Sequence, residues 1–94
     1  MNANIRYKNG GTSEVATSAT GANFVALPTF RATKVTLFNY TGFKIDWKID
    51  NGSHIELGNN LAVAIDGLVG SQQVSVRRTD LSGSPVTVKF HFAD

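Results

Sequence analysis

The feature that most constrains this chain is a strict alternation of apolar and charged residues between Phe43 and Asp50. The apolar positions are Phe43, Ile45, Trp47 and Ile49, and every position between them carries Lys or Asp. Successive side chains of a β-strand point to opposite faces, so the pattern predicts a strand with one face on the core and one in water. We therefore expect Trp47 to be a core residue and Asp46 to lie on a solvated face.

Similar short segments separated by turn residues fill most of the remaining sequence, and no helical periodicity is apparent. They are Phe24–Leu27, Lys34–Asn39, Ser53–Leu57, Leu61–Ile65, Gln73–Arg78 and Val86–Phe92. This spacing is typical of an all-β fold, and 94 residues allow a single domain. We predict a small antiparallel β-sandwich or barrel of about seven or eight short strands.

Individual strands can be assigned further features. Pro28 places the end of Phe24–Leu27 at an edge or a turn. Lys34–Asn39 and Leu61–Ile65 are apolar on both faces, which indicates central strands, or an outer face covered by the N-terminal arm or by another subunit. We expect Gln73–Arg78 and Val86–Phe92 to form a closing hairpin.

The loop after Phe43–Asp50 can be derived from the register of the hairpin around it. A two-residue turn at Asn51–Gly52 would place polar residues opposite Trp47 on the core face. A three-residue loop instead pairs Trp47 with Ile55 and Ile45 with Leu57, which keeps one face apolar. This loop predicts a left-handed backbone at Gly52, in a type I turn followed by a bulge.

The first 23 residues are predicted to be an extended arm or an edge segment. Gly, Ser, Thr and Ala dominate the stretch 9–23, and Val15 is its single larger apolar residue, so it has little apolar area to offset the entropy of ordering. Such an arm can add to the sheet edge of a neighbour, fold back on its own sheet or stay disordered. The chain has no Cys, which excludes disulfides and leaves oligomerisation as a source of stability.

Few residues suit catalysis or metal binding. The chain has two His; His54 and Glu56 share the outward face of one predicted strand, and we interpret them as solvated. The carboxylates Asp46, Asp50 and Glu56 lie near lysines and lack a calcium-loop pattern. No helix follows a Gly-rich phosphate loop. We predict a protein that is not an enzyme and has no cofactor and no metal.

Charge and hydropathy narrow the possible partners. The net charge is +2, with both signs interspersed, whereas a duplex binder collects Lys and Arg on one face, so nucleic acid is not expected. No apolar run reaches the roughly 20 residues that span a bilayer, and the first residues lack a secretory pattern. We expect synthesis in a cytoplasm and no membrane association.

Aromatic residues suggest an alternative function, a carbohydrate-binding β-sandwich. Tyr7 and Tyr40 are the aromatics expected at the surface, and Trp47 belongs to the apolar row. A sugar-binding module would group exposed aromatics on one face, whereas a module that binds protein subunits would show an apolar or arm-mediated contact.

The last two thirds of the chain resemble small virion proteins of tailed bacteriophages, namely capsid decoration or head or tail accessory proteins. The resemblance rests on Val35–Asn39 with Thr41-Gly42 after it, on Val74–Asp80 and on Val86–Phe90. It implies a non-catalytic protein made in the host cytoplasm, assembled into the virion as a homo-oligomer, a trimer, and bound to other virion proteins. We expect partner contacts at Val15, Phe24, Val25, Tyr40 and Arg77.

Overall fold

The computed structural model describes residues 10–94, which form eight β-strands and a short 3-10 helix. The strands are β1 (Gly10–Ala16), β2 (Val25–Ala26), β3 (Lys34–Asn39), β4 (Ile45–Ile49), β5 (Ile55–Leu57), β6 (Leu61–Ile65), β7 (Val74–Arg78) and β8 (Thr87–Ala93), and the helix is Ser71–Gln73. The first sheet has the order β1-β8-β3-β6 and the second has the order β2-β7-β4-β5. All pairings are antiparallel, which confirms the predicted all-β sandwich.

The core lies between the two sheets and is built from alternate residues of their strands. Its fully buried side chains include Val35 and Leu37 of β3, Ile45 of β4, Val74 and Val76 of β7, and Val88 and Phe90 of β8. Trp47 belongs to the same cluster and is only 9% exposed. The prediction that Trp47 is a core residue is confirmed.

The β4–β5 hairpin has the predicted register but a different turn geometry. Trp47 pairs with Ile55 and Ile45 with Leu57. The left-handed residue is Asp50, with φ 48°, and not Gly52, so that part of the prediction was wrong. The turn is closed by a hydrogen bond from Gly52 N–H to Ile49 O, of 2.9 Å, which moves the positive φ to the first residue after the strand, where Asp tolerates it.

The predicted hairpin between the last two strands is wrong. β7 belongs to the second sheet and β8 to the first, so residues 79–86 cross the sandwich. Arg78 stabilises this connection, since its guanidinium donates to both carboxylate oxygens of Asp80 and to Ser84 O. Alternation of apolar residues cannot distinguish a hairpin of β7 and β8 from two strands in different sheets, because in both cases the strands bury their apolar residues in the same core.

The N-terminal segment is an edge strand over the part of the chain that the structure describes. β1 pairs with β8 along its whole length, from Gly10 opposite Ala93 to Ala16 opposite Thr87. Its small residues alternate about the sheet plane, so Val15 reaches the core and is 8% exposed. Val15 is therefore unavailable as a partner contact, contrary to expectation. Residues 1–9, including Tyr7, lie outside the described residues.

The two strands that are apolar on both faces occupy different positions. β3 lies between β8 and β6 and is central, as predicted. β6 is the last strand of its sheet, and no strand between residues 10 and 94 pairs with its far side. Over the same range, no helix is long and apolar enough to cross a membrane.

Candidate functional site

The turn after β3 holds Tyr40 in an exposed position through a buried amide. The Asn39 side chain is fully buried; its Nδ2 donates to Phe43 O at 2.7 Å and to Leu57 O at 2.9 Å. The Thr41 hydroxyl donates to Asn39 Oδ1 at 2.6 Å. These bonds tie the turn to the end of β5, so Tyr40, 66% exposed, is displayed on an ordered support.

Tyr40 borders a groove of about 410 Å³ on the outer face of the first sheet, which we call the Tyr40 groove. Its lining consists of Thr12, Ser13 and Glu14 of β1, Lys89 and Phe90 of β8, Phe38 of β3, and Tyr40. The rings of Phe38 and Tyr40 are nearly parallel, with planes 20° apart and centroids 6.3 Å apart. β8 lies between β1 and β3, so it forms the floor between a polar wall and an aromatic wall.

The polar groups of the Tyr40 groove are not engaged with other described residues. Lys89 stands directly opposite Glu14 in one ladder and opposite Phe38 in the other. Neither Glu14 nor Lys89 forms an ion pair within residues 10–94, and the Tyr40 hydroxyl forms no hydrogen bond there. An aromatic surface therefore faces the same space as donors and acceptors that have no partner among residues 10–94.

The outer face of the second sheet contains a different cluster, centred on Asp46. Asp46 is 2% exposed, so the expected solvated position was wrong. Its Oδ2 accepts from Arg77 Nε at 2.9 Å and its Oδ1 from the Thr79 hydroxyl at 2.7 Å. His54 Nε2 lies 3.8 Å from Oδ2. The register places Asp46 opposite Arg77, and the side chains around them exclude solvent.

Phe24 covers this cluster and brings three predicted contact residues together. The ring lies 4.4 Å from the Arg77 guanidinium carbon and 4.5 Å from Lys48 Nζ. Arg77 also donates to Ala22 O at 3.2 Å. Val25, the next residue, pairs with Val76 and packs against the core. Phe24, Val25 and Arg77 thus hold the short strand β2 to its sheet, which is a structural role.

Within residues 10–94, His54 and Glu56 each lie at ion-pairing distance from another charged group and not from one another. Glu56 lies 3.8 Å from Lys44, whereas His54 approaches Asp46. Among residues 10–94 no group of three or more His, Cys, Asp or Glu could hold a metal ion. That the chain is not an enzyme stays a prediction.

A third surface is the side of the sandwich where β5 and β6 lie next to each other, which we call the open side. Ile55 of β5 is 54% exposed and Leu61 of β6 is 57% exposed. Both occupy core-facing positions, opposite Trp47 and the buried Asn39. They remain exposed because each belongs to an edge strand of its sheet.

Sequence reasoning identified Tyr40 but missed the other residues of its groove. Glu14, Lys89 and Phe38 come from three strands, and they meet only because β1 pairs with β8. The sequence predicts an extended arm or an edge segment over residues 1–23, but it does not predict the register of that segment with β8. The alternation of Gly11, Ser13 and Val15 with Thr12 and Glu14 was the signal that could have revealed the strand.

Comparison of the chain with protein-family models and with curated protein sequences gives no match.

Proposed function

We propose that this protein is a non-catalytic structural module of a tailed-bacteriophage particle, a capsid decoration or head or tail accessory protein that associates with copies of itself and with neighbouring virion proteins. The open side is the observation that supports self-association. The virion assignment rests on the sequence resemblance, and the trimer rests on it as well.

β6 is suited to pairing with another chain. It reads Leu-Ala-Val-Ala-Ile, with no charge and no Pro, and its far side is unpaired within the described residues. Monomeric β-proteins usually protect such an edge with Lys, Pro or a bulge, because its free N–H and C=O groups recruit other strands. β6 lacks the protecting residues in its strand, as expected for an edge that is covered after assembly.

The occupant we assign to the open side is a second copy of this chain. Ile55 and Leu61 add apolar side chains beside the unpaired backbone, so main-chain hydrogen bonds and apolar burial act together on the same side. A contact between two copies also adds buried area to a chain of 94 residues that has no Cys and therefore no disulfide. Each copy carries the same patch, so a symmetric assembly is possible.

Analytical ultracentrifugation tests self-association with the double variant Ile55→Lys/Leu61→Lys. At about 10 μM, where a micromolar interface is occupied, the parent should sediment as an oligomer and the variant as a single 10.1-kDa chain. Both side chains are more than half exposed, so circular dichroism should show that the variant remains folded.

Val69→Lys is the matched control, because Val69 is an exposed apolar residue, 81% accessible, that belongs to neither β5 nor β6. It should leave the oligomer intact. A monomeric parent, or an unchanged oligomer in the double variant, would contradict the proposal. The neighbouring genes test the virion role separately: capsid or tail genes would support it, and a metabolic operon would contradict it.

A further inference from the structure

We infer that the Tyr40 groove is a binding site for an uncharged oligosaccharide whose rings have flat apolar faces, as β-1,4-linked sugars have. This inference does not depend on self-association, since the groove lies on a sheet face formed by one chain.

The aromatic wall is the first argument. Tyr40 is 66% exposed although it sits in a turn fixed by the buried Asn39 side chain. A rigid scaffold that displays a large aromatic ring is characteristic of binding surfaces, because the ring loses little entropy when a ligand packs on it. Phe38 lines the same groove, and its ring is nearly parallel to that of Tyr40. The C–H face of a pyranose presents the complementary apolar area.

The polar wall is the second argument. Thr12 and Glu14 line the groove opposite the rings, and Lys89 lies on the floor between them. These residues offer a hydroxyl, a carboxylate and an ammonium group. Saccharide hydroxyls both donate and accept hydrogen bonds, so they can satisfy all three groups. A groove of about 410 Å³ falls in the range of about 300–1,000 Å³ that small-molecule sites occupy.

The charge and position of the groove favour an uncharged oligosaccharide over nucleic acid or a peptide as its ligand. Glu14 and Lys89 carry opposite charges at directly opposed positions, so the lining residues that the structure describes have no net charge. A groove for single-stranded nucleic acid combines aromatic rings with an excess of Lys and Arg. A peptide that adds a strand would need a sheet edge, whereas this groove spans the face of β1, β8 and β3.

The test is a ¹H–¹⁵N NMR titration of the full chain with chitotetraose and with cellotetraose. Binding should shift amide signals of residues 12–14, 38–41 and 88–90 and few others. We expect Tyr40→Ala to weaken binding by about tenfold or more, as loss of one stacking ring does. Tyr40→Phe keeps the ring and should retain affinity within about threefold.

Phe43→Ala is the matched control, because Phe43 is an exposed aromatic three positions away that does not line the groove. It should bind as the parent does. Absence of shifts with both sugars up to about 10 mM, beyond weak millimolar binding, would overturn the inference. Shifts outside the groove, an unaffected Tyr40→Ala, or binding of a heparin oligosaccharide alone would overturn it too. The titration is repeated with the double variant Ile55→Lys/Leu61→Lys, which should bind the sugar as the parent does, so that the result for the groove does not depend on self-association.

Discussion

The outer faces of the two sheets carry similar residues but use them differently. On the second sheet, Asp46 and Arg77 stand opposite each other and are hydrogen-bonded. On the first sheet, Glu14 and Lys89 also stand opposite each other, yet neither forms an ion pair with a described residue. The sheet position alone therefore does not decide whether a cross-strand charge pair stabilises the fold.

The difference arises from what covers each pair. Phe24 lies beside Arg77 and Lys48, and Asp46 is left 2% exposed. In this less polar environment an unmatched charge would be costly, so the bonds to Asp46 matter. No ring lies over Glu14 and Lys89 among the described ring contacts, so water competes for their charges. The covered face stabilises the sandwich, and the other face is the one on which we propose a ligand site.

The largest expected loss of stability comes from replacing the buried aromatic residue Trp47, and the comparison is with the exposed Tyr40. Trp47→Ala should lower the free energy of unfolding by about 3–5 kcal/mol, because it removes a side chain from the core and leaves a cavity. Tyr40→Ala should change it by about 0.5 kcal/mol or less, since that ring is mostly in water. Urea unfolding followed by circular dichroism measures both. Equal losses would show that Tyr40 is part of the core and not a displayed ring.

The next largest loss of stability is expected from breaking the Asp46–Arg77 pair, and the comparison is with the Glu14–Lys89 pair. Asp46→Ala should destabilise the fold by about 3 kcal/mol, because it leaves the Arg77 guanidinium without its partner in a mostly buried site. Glu14→Ala removes an exposed carboxylate and should cost about 0.5 kcal/mol or less. The same urea titration applies. If Glu14→Ala were as damaging as Asp46→Ala, coverage by Phe24 would not explain the difference between the faces.

The smallest expected change in stability concerns the ion pair between the buried Arg78 and the exposed Asp80. Hydrogen bonds from the buried Arg78 lower the pKa of the exposed Asp80 below its usual 3.8, with help from Ser82 N–H. A carboxylate with a lowered pKa in the folded state stabilises the fold above its unfolded pKa and loses that contribution as the pH falls through the folded value. Asp80→Asn should therefore be slightly less stable than the parent at pH 7.

The stability difference between the parent and Asp80→Asn should shrink as the pH is lowered from about 5 to about 2. Urea unfolding across this interval measures it. A difference that stays constant with pH would mean that Asp80 acts through the geometry of the 79–86 connection and not through its charge.

Local patterns predicted several parts of the fold because each depends on neighbouring residues alone. Alternation placed Trp47 in the core and set the register of β4 with β5. Pro28 marked the end of β2, which is an edge strand. The turn geometry could not be predicted in the same way, because the position of the positive φ depends on which carbonyl closes the turn. Here Ile49 O accepts the hydrogen bond from Gly52 N–H.

The sequence by itself determined that the chain is all-β, which residues of β4 face the core, and that β3 is apolar on both faces. Only the tertiary structure decided that β7 and β8 belong to different sheets, that Asp46 is buried, and that Glu14, Lys89 and Phe38 line one groove with Tyr40. The physical reason is that periodicity gives the face on which a side chain lies, whereas burial and site geometry depend on which distant strand pairs beside it. β1 illustrates this, because its small residues acquire a defined face only once they are paired with β8.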